Sequence, residues 1–226
     1  MMNDQMMNDQ MINDLVSKGI VAVLVIEDAD TAVDSAKALI DGGISAIELA
    51  LRTPASYKAM ELIHKHVPEM MIGAGTVIQP GQAKKVKELG ATFAVAPGLN
   101  PTIMNEADEC GLPFAPGIST ASELEKAVEM GCKLLKLFPA QALGGLDYFK
   151  AMTGPYKYLD LKFFPLGGVS EENLPLWAGQ KDICPIGGSW IAKSNLIKER
   201  NYKEITKRAQ KAIEIYNSVK AGVDNE

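Results

Sequence analysis

The feature that most constrains this chain is one pattern used eight times: a short, almost wholly apolar run, a segment with helical spacing, and a glycine or turn. IVAVLVI at 20–26 leads into DADTAVDSAKALIDGG, and SAIELAL leads into PASYKAMELIHKHV. MMIGAGT with GQAKKVKELG, TFAVAPG with PTIMNEADECG, and PFAPGIS with ASELEKAVEMG continue the series. KLLKLFPA, LKFFPLGG and DICPIGGSW open the last three units. Strands that are apolar on both faces belong to parallel sheets covered by helices, which disfavours an antiparallel sandwich. Eight units in 226 residues predict an α/β chain folded as a single (β/α)8 TIM barrel over residues 20–220, with short loops. An open doubly wound sheet is the rival, but its first turn would carry a glycine fingerprint, and EDADTAV has no glycine.

Residues 1–19 stand outside the pattern. MMNDQMMNDQM repeats a five-residue unit and spaces Met1, Met2, Met6, Met7 and Met11 as a helix permits, while its Asn-Asp pairs favour turns and caps. The segment fits a helical cap on a barrel end or a partly disordered extension. The 23 basic residues are scattered and outnumbered by 28 acidic ones, giving a formal charge of −5, so a nucleic-acid partner is not expected. No apolar run approaches the roughly 20 residues of a membrane span, and the amino end lacks a secretory pattern, so the expectation is a cytoplasmic protein with no membrane partner. Cys110, Cys132 and Cys184 are widely spaced and without a neighbouring Cys or His, which fits reduced thiols better than a disulfide framework or zinc site.

In a barrel the reacting groups sit at the carboxyl ends of the strands, on the inward face. Glu48, Ala50 and Arg52 share one face of the second run, presenting a carboxylate and a guanidinium; the same spacing also fits a structural Glu–Arg pair. Lys136 lies among leucines late in the sixth run. Burial disfavours the charged form of an amine, and a neutral amine can attack a ketone to form an imine; a snorkelling lysine is the alternative. Lys133 and Lys162 lie at strand beginnings, the end of a barrel that serves stability. The third run ends in Gly73-Ala74-Gly75-Thr76, where glycines admit a ligand and a hydroxyl can donate to a carboxylate. The last two runs end in Gly167-Gly168 and Gly187-Gly188-Ser189, each read as immediately preceding a helix whose N–H groups would cradle a phosphate; simple tight turns are the alternative. His64 and His66 have no third ligand at metal spacing, so no metal site is expected. Trp177 reads as packing the helical shell on the barrel, and Trp190 as part of the phosphate-side rim.

In this order, IELALRT, IGAGTV, the APG segments at 96–98 and 115–117 with IST following, LKLFPA, PLGGVS and IGGSW resemble one family over residues 12–215. It is that of the short class I aldolases cleaving 2-keto-3-deoxy-6-phosphogluconate and 4-hydroxy-2-oxoglutarate. The resemblance implies that Lys136 attacks the C2 carbonyl of a 2-keto acid. Glu48, directly or through a water, would take the C4 hydroxyl proton and return one to the enamine, releasing an aldehyde and pyruvate. It further implies that Arg52 and Thr76 bind the substrate carboxylate and that Phe138 lines the pyruvate end. Gly167, Gly168, Gly187, Gly188 and Ser189 would hold a remote phosphate, and Pro97 and Leu166 complete the substrate-binding set. No cofactor or metal is implied, and the implied assembly is a homotrimer.

Two positions depart from the family pattern. Many phosphogluconate-cleaving members carry a hydroxyl residue before the double glycine, where this chain has Leu166, so the C4 stereochemistry and the phosphorylation of the preferred substrate are open. Gln141 stands where an acidic residue is common, with an effect expected on the loop only. A metal-dependent pyruvate aldolase and a non-catalytic phosphate-binding barrel are the competing readings: the first would place a carboxylate or histidine cluster at strand ends that are here mostly Gly, Pro and hydroxyl groups, and the second leaves the desolvation of a lysine beside a barrel-facing glutamate unexplained.

Overall fold

A computed structural model of the chain describes the backbone of residues 2–223 and the side chains of residues 9–222. Met1 and the side chains of Met2, Met6 and Met7 in the repeated unit therefore lie outside the described residues. The chain opens with α1 (Met2–Lys18), then alternates β1 (Ile20–Leu24), α2 (Ala32–Asp41), β2 (Ala46–Ala50), α3 (Ser56–His66), β3 (Met71–Gly75), α4 (Gln82–Glu88), β4 (Phe93–Val95) and α5 (Pro101–Glu109). There follow β5 (Phe114–Ala115), β6 (Gly117–Ile118), α6 (Ala121–Glu129), β7 (Leu134–Leu137), α7 (Gly145–Thr153), β8 (Lys162–Pro165), α8 (Leu174–Ala178), β9 (Ile186–Gly188), α9 (Ser194–Lys198) and α10 (Tyr202–Val223).

Every described strand pairing is parallel. The single eight-stranded ring expected from the sequence is replaced by a curled, nearly closed arrangement of two sheets, ordered β5-β4-β3-β2-β1-β9 and β6-β7-β8. Proline explains both interruptions. The fifth run is one strand broken at Pro116, which has no N–H: β5 pairs with β4 before the break and β6 with β7 after it. Between β8 and β9 the ladder shrinks to one bridge, Phe163 to Ile183, flanked by Pro165 on one side and Pro185 on the other. Phe163 donates its N–H to Asp182 at 2.8 Å and accepts from Cys184 at 3.2 Å there.

Alternation along the strands sorts two cores. Ile20, Ala22, Leu24, Ile47, Leu49, Leu135 and Leu137 face the helical shell, where Trp177 and Phe149 meet edge-to-face at 6.0 Å and Phe149 and Phe163 at 5.0 Å. Trp177 thus packs shell against strands as expected. Val21, Ala46, Phe93, Val95, Ala115, Leu134, Phe164 and Leu166 form a separate inner core. Met11, Ile12 and Leu15 of α1 belong to this inner core, so the described part of α1 is a plug rather than an irregular extension. An ion pair of 2.9 Å between Asp9 and Lys133, just before β7, fixes the plug at the strands' amino-terminal end. The three cysteines are free, and burial pushes the Cys132 thiol up to about 11, which leaves it protonated at neutral pH.

Leu15 has no exposed surface. Leu15→Ala is expected to lower unfolding free energy by about 2–5 kcal/mol, read from the midpoint of a denaturant titration. A loss below about 0.5 kcal/mol would mean that α1 is not seated on the inner core.

Candidate active site

At the carboxyl end of the strands, opposite the plug, lies a cavity of about 320 Å³. Its lining brings together all twelve residues selected from the sequence: Glu48, Arg52, Thr76, Pro97, Lys136, Phe138, Leu166, Gly167, Gly168, Gly187, Gly188 and Ser189. Val23, Ala50 and Val169 also line it. Val23 and Val169 are ordinary apolar residues and carried no signal beyond their nearness to a strand end. Ala50 was legible as the middle of the Glu48-to-Arg52 face.

Glu48 and Lys136 are the only buried charged side chains among the described residues. They come from different sheets and meet across the interior: Lys136 Nζ donates to Glu48 Oε1 at 3.1 Å and lies 3.4 Å from Oε2. Parallel pairing sets their depth, with Glu48 level with Val23 and Gly73, and Lys136 level with Gly117 and Phe164. A lone charge this deep would be costly, and the pair supplies each with its counter-charge. The Phe138 ring centroid is 5.4 Å from Nζ, adding a flat apolar wall beside the amine. Lys133 and Lys162 are absent from the cavity: the first pairs with Asp9, and the second reaches the carbonyl of Lys181 at 3.4 Å.

Arg52 does not form the Glu–Arg structural pair that its spacing also allowed. It is exposed at the mouth and makes no ion pair among the described residues, while Glu48 is engaged by Lys136. Thr76 follows β3 with φ of +62°, a left-handed conformation that costs a β-branched residue about 1–3 kcal/mol. That backbone turn puts its side chain on the cavity wall beside Arg52.

The glycine pairs line the cavity, but not as helix starts. α8 begins only at Leu174 and α9 only at Ser194, so five-residue loops, 169–173 and 189–193, intervene. Gly167 and Gly168 have φ of +89° and +88°, and among the described residues their N–H groups and that of Val169 meet no protein acceptor. The turn is held from outside instead: Gln141 donates its N–H to the Gly167 carbonyl at 2.9 Å, and Asn173 Nδ2 donates to that of Gly168 at 2.9 Å. The Gln141 contact to Gly167 is made by its backbone and is open to any residue there; its side chain touches the turn through Asn173, whose Nδ2 donates to Gln141 Oε1 at 3.3 Å. Leu166 is buried in the inner core and reaches over Gly187, where a Cβ would come within 2.1 Å of Leu166 Cδ2.

Trp190 is absent from the cavity lining but packs against its edge: a Cβ on Gly188 would come within 2.7 Å of the Trp190 Nε1. Trp190 also lines a separate surface groove along α10, of about 720 Å³, whose Arg208 is already paired with Glu204 at 2.7 Å. Among the described residues no three of His, Cys, Asp and Glu come together as a metal-binding group, and no helix is long and apolar enough to cross a membrane.

A buried amine against a carboxylate inside a cavity, with unused N–H donors in the same lining, has the parts for imine formation and proton transfer on an anionic substrate. Comparison with known proteins gives the same assignment. The sequence model described as KDPG and KHG aldolase matches residues 11–208. The KHG/KDPG aldolase of Escherichia coli (strain K12) is 40% identical over 195 residues, covering 86% of this chain and 91% of that protein. The 2-dehydro-3-deoxy-phosphogluconate aldolase of Dickeya dadantii (strain 3937) is 39% identical over 194 residues, covering 86% and 90%. The crystal structure of KDPG aldolase from Legionella pneumophila, with pyruvate captured as a covalent carbinolamine, superposes with a TM-score of 0.82 at 36% identity, covering 87% of this chain and 94% of that one. Sequence, fold and site chemistry agree that the chain belongs to the KDPG and KHG aldolase family and is a class I, carbon–carbon-cleaving lyase.

Proposed function

We propose that Lys136 is the imine-forming nucleophile and Glu48 the proton-transfer group of this aldolase. The substrate is a 2-keto-3-deoxy-6-phospho sugar acid, gluconate type first and galactonate type second, cleaved to pyruvate and glyceraldehyde 3-phosphate. 4-Hydroxy-2-oxoglutarate, cleaved to pyruvate and glyoxylate, fits the same site. The observation that carries this reading is the buried 3.1 Å contact between Lys136 Nζ and Glu48.

Transfer of a proton from Nζ to the Glu48 carboxylate yields the neutral amine that adds to the C2 carbonyl. Loss of water from that adduct gives a protonated imine at C2, which withdraws electrons from the C3–C4 bond. Glu48, again a carboxylate, takes the C4 hydroxyl proton as that bond breaks and the aldehyde leaves. The remaining enamine is reprotonated at C3 by the same carboxyl, and water returns the amine and releases pyruvate. The electron sink is the imine, so no step requires a metal or a soluble cofactor. Arg52 and Thr76 hold the keto-acid carboxylate, with Pro97 and Phe138 walling that end. The free N–H groups of the Gly167-Gly168 turn, with Gly187, Gly188 and Ser189, hold the distal phosphate. In the same reading the two sheets function as one barrel, the assembly is a homotrimer, and the three free thiols fit a cytoplasmic location.

Borohydride added with pyruvate is expected to leave a reduced adduct on Lys136, mapped by mass spectrometry, and Lys136→Met is expected to abolish it. An adduct on Lys133 or Lys162 instead would overturn the assignment. Leu166→Thr is expected to change the ratio of kcat/KM between the two C4 epimers of the phosphorylated substrate by about 10-fold or more, in coupled assays of both. Identical ratios in parent and variant would remove Leu166 from substrate selection. Light scattering of the full chain is expected to give three times the monomer mass.

A further inference from the structure

Two glycines sit side by side on the inner face of β3, and neither needs its backbone freedom. Gly73 and Gly75 are absent from the positive-φ residues, so an alanine at either meets no dihedral penalty. Glycine weakens a strand interior and marks a close approach by another group. Here the two approaching groups differ. A Cβ on Gly73 would fall 2.1 Å from Phe93 Cζ, so the Phe93 ring occupies the space over Gly73. A Cβ on Gly75 would fall 2.2 Å from Glu48 Oε1, 2.7 Å from Cγ and 2.8 Å from Cδ, so the carboxylate and the methylene that carries it lie over Gly75.

Register turns this difference into a direction. Glu48 pairs level with Gly73, yet its carboxylate lies over Gly75, two residues nearer the mouth. The Phe93 ring fills the alternative seat below, toward the plug, and is itself fixed in the inner core with 1% exposure. Glu48 is thus excluded from the deeper seat and admitted to the upper one, where Lys136 Nζ stands at 3.1 Å.

We propose that Gly75 is a positioning residue: its missing side chain is the seat of the Glu48 carboxylate, and Phe93 over Gly73 closes the competing seat. This rests on the reading of Glu48 as the proton-transfer group. A methyl at position 75 would force Oε1 to withdraw by roughly an ångström, a misplacement of the size that costs about 100-fold in rate.

The test uses exchange of the pyruvate methyl protons for deuterium, followed by NMR. That reaction needs only the imine and the proton-transfer group and is blind to phosphate and C4 recognition. Gly75→Ala is expected to slow exchange about 100-fold while borohydride still traps pyruvate on Lys136. Glu48→Ala, which removes the Cγ, Cδ and Oε1 that a Cβ at position 75 would meet, is expected to slow exchange alone and to be partly restored by added formate; adding Gly75→Ala to it is expected to change exchange, with or without formate, by less than about three-fold, because the methyl acts only through Glu48. Exchange by Gly75→Ala within about three-fold of the parent, or a double variant as slow as the product of the two single losses, overturns the proposal. Should Gly75→Ala fail to fold, recovery of the fold in Glu48→Ala/Gly75→Ala to the level of Glu48→Ala supports it, and failure of that double variant where Glu48→Ala itself folds overturns it. Glu48→Gln separates the two layers: parental exchange in that variant defeats the assignment of Glu48 and the proposal with it, whereas a silent Glu48→Gln with an indifferent Gly75→Ala defeats the proposal alone.

Discussion

The ion pair between Lys136 and Glu48 is the constraint around which the rest of the interior is arranged. Two charges without water are tolerated only where each supplies the other's partner, so the strands carrying them must hold a 3.1 Å contact across the gap between two sheets. Parallel strands do this well because their depth is set by ladders on both sides, Glu48 between Val23 and Gly73, Lys136 between Gly117 and Phe164. Below the pair the inner core is wholly apolar, with Phe93, Phe164, Leu134 and the α1 plug excluding water from beneath. Above it the walls change to glycine, hydroxyl and guanidinium. The buried pair thus sits at one level, open to the cavity on its upper side and closed off below.

Much of this was legible in the sequence because both rules involved are local. Period-two alternation tells inward from outward residues, and chain direction tells which end of a strand faces the mouth. Together they separated Lys136 from Lys133 and Lys162 and selected every polar residue of the cavity wall. The illegible parts depend on what the chain does away from the strand. That β5 and β6 belong to different sheets follows from one missing N–H at Pro116, which the run PFAPGIS does not weigh against its apolar neighbours. Helical spacing resumes soon after the glycine pairs, which makes them read as helix starts; the loops at 169–173 and 189–193 intervene, and the Gly167-Gly168 turn itself, braced by Gln141 and Asn173, presents the donors. Trp190 follows the end of its strand at Gly188, where the alternation rule no longer applies, and its indole lies between that glycine and the α10 groove.

The net charge of −5 also gains a local meaning. Within the wall of the cavity the only acid is Glu48, and it is neutralised by Lys136. Arg52 at the mouth has no ion-pair partner among the described residues, so the cavity lining carries a net positive charge although the molecule is acidic. Screening by salt removes most of the surface charge within about 8–10 Å, which leaves the substrate to experience the mouth and not the whole.

The plug has a consequence for how the molecule is made. Asp9 and its partner Lys133 are 124 positions apart, and Phe164 and Leu166 of the inner core come later still. At about 5–20 residues per second, a ribosome exposes Met11, Ile12 and Leu15 for about 6–25 s before that part of their seat exists. Although α1 precedes every described strand in the chain, its seat is complete only after β8 has been made.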